Sequence, residues 1–270
     1  MLLSKRFAGS VFLVVIMLAV LGGSTALASD GAASKALVSE DDESDVTIVV
    51  EGYDDVTSPV EGDTVADVGR DSTGKCNITP YHEIHMTGDV SVVELSFDPI
   101  DCQLSVSSIE RSTELAELSS HTTQASNNKY YHWFMKTSAT RRGFAYFEEL
   151  TTVRTHIQAW LPYYGYRGPI RNANNAWHEC DAWDDWNRWR VVSCRLDSKK
   201  LNSSTSVHIK ASGKFEWNIR VFKIKTSAWA KSEIRSHRIG TDRFKSTCGH
   251  RSTYNPVRTY TRCERKYGFV

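Results

Sequence analysis

Alternation with a period of two is the feature that most restricts what this chain can fold into. Val153, Thr155, Ile157, Ala159 and Leu161 are separated by Arg154, His156, Gln158 and Trp160. Successive side chains of a strand point to opposite faces, so this run has one buried face and one exposed face. Val207, Ile209 and Ala211 repeat the pattern with His208 and Lys210 outward. Phe222, Ile224, Thr226, Ala228 and Ala230 do so against Lys223, Lys225 and Lys231. Val257, Thr259, Thr261 and Cys263 alternate with Arg258, Tyr260 and Arg262. Short alternating segments with polar turns between them imply a mostly β chain. Over 130–270 they predict an antiparallel β-sandwich or open barrel, long enough to enclose its own core.

A smaller β-containing region precedes it. Within 74–118, His82 to Met86, Val90 to Phe97 and Gln103 to Ile109 read as strands, and Thr113 to Leu118 as a helical turn. Residues 119–129 form a polar linker. Residues 29–73 read as an acidic, disordered or weakly ordered leader, with Glu40-Asp41-Asp42-Glu43-Ser44-Asp45 and few aromatics. Inside it, Val46 to Val50 is one short apolar run suited to an edge strand.

The formal charge of +1 hides a division along the chain. Ser29 to Ser120 carries 21 Asp/Glu against 4 Lys/Arg, a net of −17. His121 to Val270 carries 11 against 27, a net of +16. Two such blocks attract one another or an outside polyion. Intramolecular docking of the acidic on the basic block is therefore one expectation, with an affinity that falls steeply with salt.

Residues 1–28 have the build of a signal peptide. Lys5 and Arg6 precede the apolar run Val11 to Leu21, and Ala26-Leu27-Ala28 is a small-x-small cleavage site. The mature chain is expected to begin at Ser29, secreted and extracellular, without a transmembrane anchor. Cys76, Cys102, Cys180, Cys194, Cys248 and Cys263 make an even count that fits an oxidising compartment. Six cysteines allow 15 pairings. Clustering favours Cys76–Cys102, Cys180–Cys194 and Cys248–Cys263. Two triplets, Asn77-Ile78-Thr79 and Asn202-Ser203-Ser204, match the N-glycosylation pattern.

Aromatic residues crowd the start of the basic part. Trp160 shares a strand face with Arg154, His156 and Gln158, out of phase with the apolar positions. Tyr163, Tyr164, Tyr166 and Arg167 lie in a segment of turn composition that ends in Gly168-Pro169. Trp177, Cys180, Trp183, Trp186 and Trp189 recur every three residues, and Arg190 follows. Exposed rings beside cations suit sugar faces and anionic groups. Trp160, Tyr163, Tyr164, Tyr166, Arg167, Trp183, Trp186, Trp189 and Arg190 are therefore the candidate ligand-binding residues. Together with Thr247-Cys248-Gly249 and Arg258-x-x-x-Arg262-Cys263, the W-x-x-W run resembles thrombospondin type 1 repeats, whose tryptophans stack between arginines. In that family the Trp run lies a few residues before the Cys-Gly element, whereas here Trp189 and Cys248 are far apart. Trp–Arg stacking stands as an expectation; the family's spacing does not fit.

No G-x-S-x-G elbow, H-E-x-x-H, Walker loop or G-x-G-x-x-G occurs. His82 and His85 would point to opposite faces of a strand, so they are poorly placed to share an ion. No catalytic residue, metal site or cofactor is assigned, and no nucleic-acid partner is expected. The sequence favours a disulfide-stabilised protein that binds an anionic polymer or glycan surface. A masked cationic effector with an acidic pro-region is the alternative, and an extracellular hydrolase the third.

Overall fold

A computed structural model describes residues 46–52, 59–76, 81–112, 130–143, 149–162, 166–183, 189–218, 223–252 and 258–270. The expected signal peptide, the helical turn and the linker lie outside these residues. Among these residues thirteen strands are formed. They are β1 (Val46–Val50), β2 (Thr64–Asp67), β3 (His82–Met86), β4 (Val90–Asp98), β5 (Gln103–Arg111) and β6 (Tyr130–Arg142). Then follow β7 (Glu149–Pro162), β8 (Arg171–Ala182), β9 (Trp189–Lys200), β10 (Ser206–Asn218), β11 (Lys223–Arg235), β12 (Phe244–Ser252) and β13 (Thr259–Phe269). A 3₁₀ turn, Gly240–Arg243, precedes β12.

Among the described residues the strands build two sheets that pack face to face as a mostly antiparallel β-sandwich. Sheet A runs β1-β3-β12-β11-β10-β9, and sheet B runs β2-β5-β4-β13-β6-β7-β8. All the ladders are antiparallel except β1 on β3. The sheets stack with β9 over β8, β10 over β7, β11 over β6 and β7, and β12 over β6. The alternation read along 153–161 holds: Val153, Ile157, Ala159 and Leu161 are buried, and Trp160 is outward. The short run at Val46–Val50 is an edge strand of sheet A.

The charge boundary is not a boundary in the sheets. β3 pairs with β12 and β4 with β13, so strands of the acidic stretch extend both sheets of the basic stretch. Val93, Leu95 and Phe97 of β4 share a core cluster with Val153, Ala211 and Phe215. Ion pairs cross the same boundary: Arg142 with the buried Glu94 at 3.8 Å, Arg262–Glu110 at 3.4 Å, and Arg258 on Asp98. The stretch 29–73 contains a second strand, β2, that the sequence pattern did not mark.

Two apolar clusters fill the interior. One is built around β3, β4 and β10; the other holds Trp133, Met135, Ile157, Ile209 and Phe244. Between them lies a buried hydroxyl chain that joins the sheets. Thr137 and Ser246 oxygens are 2.7 Å apart, Ser232 donates to Thr137 at 2.9 Å, and Thr155 and Ser232 are 3.0 Å apart. All four residues are fully buried. Such hydroxyls are tolerated in a core because each finds a partner. Beside them Arg265 is buried and donates to the carbonyls of Phe244, Gly88 and Val90. Desolvation lowers its pKa to about 10, which leaves it charged at neutral pH.

The disulfides are Cys76–Cys102, Cys180–Cys194 and Cys248–Cys263, with Cα separations of 5.2, 5.8 and 6.0 Å. Each joins residues already close in the fold. Cys248–Cys263 links the sheets through the core, and Cys180–Cys194 links the edge strands β8 and β9. No cysteine is free. Among the described residues no helix is long and apolar enough to cross a membrane.

Candidate functional site

The exposed side chains of β6, β7 and β8 form an aromatic strip on the outer face of sheet B. Register places His132 opposite Trp160, and His156 opposite Trp177. Both pairs stack: His132–Trp160 has centroids 5.0 Å apart at 8°, and His156–Trp177 has 4.9 Å at 7°. Phe134 lies diagonal to His156 at 6.0 Å and 4°. Three strands therefore contribute a row of nearly parallel rings, Phe134, His156 and Trp177. Trp160 is 38% exposed and Trp177 39%, so each presents an open face to solvent.

A bulge shapes the upper end of the strip. Gln158 pairs with Asn175 and Trp160 with Arg171, so β8 spends three residues where β7 spends one. Asn172 within this bulge has φ 46°, a left-handed conformation that costs most side chains energy and that Asn tolerates. The bend swings Arg171 over the Tyr130 ring, 4.0 Å from its centroid. Asn175 donates to Gln158 at 3.1 Å and sets an amide pair between the two tryptophans. Rings, an amide pair and the cations Arg171, Lys136 and Lys266 thus share one face.

Electrostatics disfavour a positive charge on the central imidazole. Burial, and then the charge of Lys136, push the His156 imidazole below its ordinary value. A neutral imidazole stacks between Phe134 and Trp177 without bringing charge under the rings. At the lower end of the same face, Arg154 is shared among Glu149 at 3.9 Å, Glu179 at 3.1 Å and Asp181. That ion-pair cluster bounds the strip.

The sequence-derived candidates divide. Trp160 belongs to the strip. Tyr166 is 67% exposed in the turn that leads to β8, and Arg167 beside it is exposed. Buried Arg243 anchors this turn, donating to the Pro162 carbonyl at 2.7 Å and to that of Tyr166. Tyr163, Tyr164 and Trp186 lie outside the described residues. Trp183 is half-buried, and its amide donates to Leu150 at 3.1 Å. Trp189 requires a correction: it is 3% exposed, stacks on Trp217 with centroids 6.1 Å apart, and lies under Arg141 at 5.5 Å. It is a core residue because β9 starts against the β10 end of the sandwich. The expected Trp–Arg stacking occurs there, in the interior. Arg190 is exposed but engaged, donating to Glu216 at 2.8 Å.

Tyr130, His132, Phe134 and Trp177 entered the site only through the structure. A signal existed: His132, Phe134 and Lys136 alternate with Trp133, Met135 and Thr137 along β6. Comparison with family models, with curated proteins and with solved structures found no match.

Proposed function

We propose that this is an exported, disulfide-stabilised binding protein that attaches to a glycan surface through the outer face of sheet B. The parallel rings of Phe134, His156 and Trp177, open to solvent at Trp177 and continued by Trp160, carry the reading. A pyranose ring offers a flat C–H face that packs on an indole, and hydroxyls that the Gln158–Asn175 amide pair and Arg171 reach by hydrogen bonds. The strip rests on paired strands and not on a mobile loop, so little entropy is lost when a sugar docks. Export is supported by the basic and apolar leader and by three disulfides.

The test is co-sedimentation of the mature protein with insoluble chitin, cellulose and peptidoglycan. The expected result is retention on at least one, weakened tenfold or more by W160A or W177A while the unfolding midpoint stays within about 1 kcal/mol of wild type, as surface changes do. Equal retention of wild type and W160A/W177A would overturn the proposal. The masked-effector reading has less support. Removal of the acidic stretch would strip β3 from β12 and β4 from β13 and leave two new edges.

A further inference from the structure

The opposite face of the sandwich has a different chemistry. On the outer side of sheet A, β10, β11 and β12 alternate so that Lys210, Lys214, Lys225, Lys231, Lys245 and Arg251 point away from the core. Register sets Lys210 opposite Lys231, a like-charge pair that destabilises a sheet by itself. Lys214 stands opposite Ser227, and Ser227 opposite Arg251, so these cations lie two strands apart, ~10 Å. These three strands carry eight outward cations, Lys223 and Arg235 included, against two carboxylates. Glu216 receives Arg190 at 2.8 Å and Lys223 at 2.9 Å, and Glu233 receives Lys231 at 2.6 Å and Arg235 at 2.8 Å. The face therefore keeps a cationic excess. Its field reaches the histidines beside it: after burial, Lys245 is the largest influence lowering His85, and Lys231 the largest lowering His208.

A cavity of about 330 Å³ opens on this face. Lys214, Lys225 and Arg251 line it together with Ser227, Val192 and Glu216, whose carboxylate is already shared by Arg190 and Lys223. Three cations and a hydroxyl around one cavity are the donors that a sulfate or carboxylate group takes. Among the described residues no large hydrophobic side chain of β10, β11 or β12 is exposed; on this sheet the exposed apolar side chains, Val49, Val191, Val192 and Leu196, sit on the edge strands β1 and β9. Among the described residues of these three strands there is also no open ring on which a base would stack. Trp229, the large aromatic of this face, is 7% exposed, pressed between Gly249 and the Tyr81 ring at 4.9 Å.

We infer that the outer face of sheet A, centred on the cavity of Lys214, Lys225 and Arg251, binds a linear anionic polysaccharide. This goes beyond the glycan-facing strip of sheet B, which lies on the other side of the molecule. With both faces engaged, the protein bridges a polyanion to a second glycan. The two faces are tested separately, so either fails without the other.

The experiment measures binding of the mature protein to immobilised dextran sulfate, with unsulfated dextran as the control surface. Wild type is expected to bind dextran sulfate alone, and to weaken at least tenfold between 0.05 and 0.5 M NaCl as charges are screened. K214Q/K225Q/R251Q is expected to weaken binding at least tenfold at low salt and to flatten the salt dependence. W160A/W177A is expected to bind dextran sulfate as wild type does. K210Q/K245Q, at the other end of the face, tests the same surface where the triple variant fails to fold, and is expected to weaken binding severalfold. Salt-independent binding, wild-type affinity in the variant of this face that folds, or tighter binding to anionic vesicles or to double-stranded DNA would each overturn the inference.

Discussion

Gly249 shows how a single residue can set a surface. A Cβ built there would lie 1.8 Å from Cζ2 of Trp229, so the indole lies on bare backbone. Gly249→Ala is expected to displace Trp229 and cost about 1–3 kcal/mol, as overpacking does. Urea unfolding followed by tryptophan fluorescence measures it, and an unchanged midpoint would contradict the packing described. His250 is the matching polar case. Its Nε2 lies 2.6 Å from Thr226 Oγ1, and burial, then Arg141, then His82, push its imidazole well below the ordinary 6.5. His85, His156 and His208 are lowered too. Below pH 6.5 the unfolded chain therefore binds protons that the folded chain refuses, and stability falls as pH falls through that window. Glu216 and Glu233 act lower on the scale. Hydrogen bonds from Lys223 and Arg190 hold Glu216 at about 2. At Glu233 burial opposes ionisation, but Lys231 and Arg235 outweigh it and hold it at about 2. Stability from these two carboxylates is present above about 4.5 and lost between there and 2. Urea midpoints should drop from pH 7 to pH 5, and His250→Asn should flatten that slope.

Among the elements, β8 and β9 are the exception. Both are edge strands, and β9 is exposed along nearly its whole length, with Val191, Val192 and Leu196 open to solvent. Elsewhere an inward side chain is held by burial between sheets. At this edge Cys180–Cys194 takes over part of that role, closing a sequence separation of 14. A loop of this length contributes about 3 kcal/mol when crosslinked. Cys180→Ser with Cys194→Ser is expected to remove up to that amount. Hydrogen exchange should then quicken in β8 and β9 and stay slow in β6 and β13. Uniform acceleration through both sheets would show that the edge is not an independent unit. Because β8 also supplies Trp177 and Arg171, the same variant should weaken glycan retention more than it lowers the midpoint.

For the whole molecule, the two charge blocks are joined chiefly by backbone pairing and shared apolar core. Of the ion pairs that cross the boundary, Arg262–Glu110 and Arg258–Asp98 are exposed enough to be worth roughly 0–1 kcal/mol each, and only Arg142, at 3.8 Å, reaches the buried Glu94. Raising NaCl from 0.15 to 1 M is therefore expected to move the unfolding midpoint by less than about 1 kcal/mol. A chain of residues 121–270 alone should lack a cooperative unfolding transition, because β12 and β13 lose their partners and the core loses Val93, Leu95 and Phe97. Calorimetry of that fragment decides the matter, and a sharp two-state transition would refute it.

Local pattern determined a good deal of this. Period-two alternation marked β7, β10, β11 and β13, and β3 began and ended where its apolar spacing said. The cysteine clusters carried their own pairing, since a short connection keeps its ends close in space even where the chain crosses from one sheet to the other, as between Cys180 and Cys194 and between Cys248 and Cys263. Trp160 was legible as outward because its phase against Ile157 and Leu161 depends on strand geometry alone. Tertiary structure decided whatever depends on register between strands. The stacking of His132 on Trp160 and of His156 on Trp177 follows from how β6, β7 and β8 align, which the three-for-one bulge at Asn172–Asn174 adjusts. Trp189 went inward because β10 placed Trp217 beside it. The net charges of −17 and +16 were plain along the chain. That they meet inside continuous sheets was not, because strand order is a property of long-range contacts and leaves no mark on neighbouring residues.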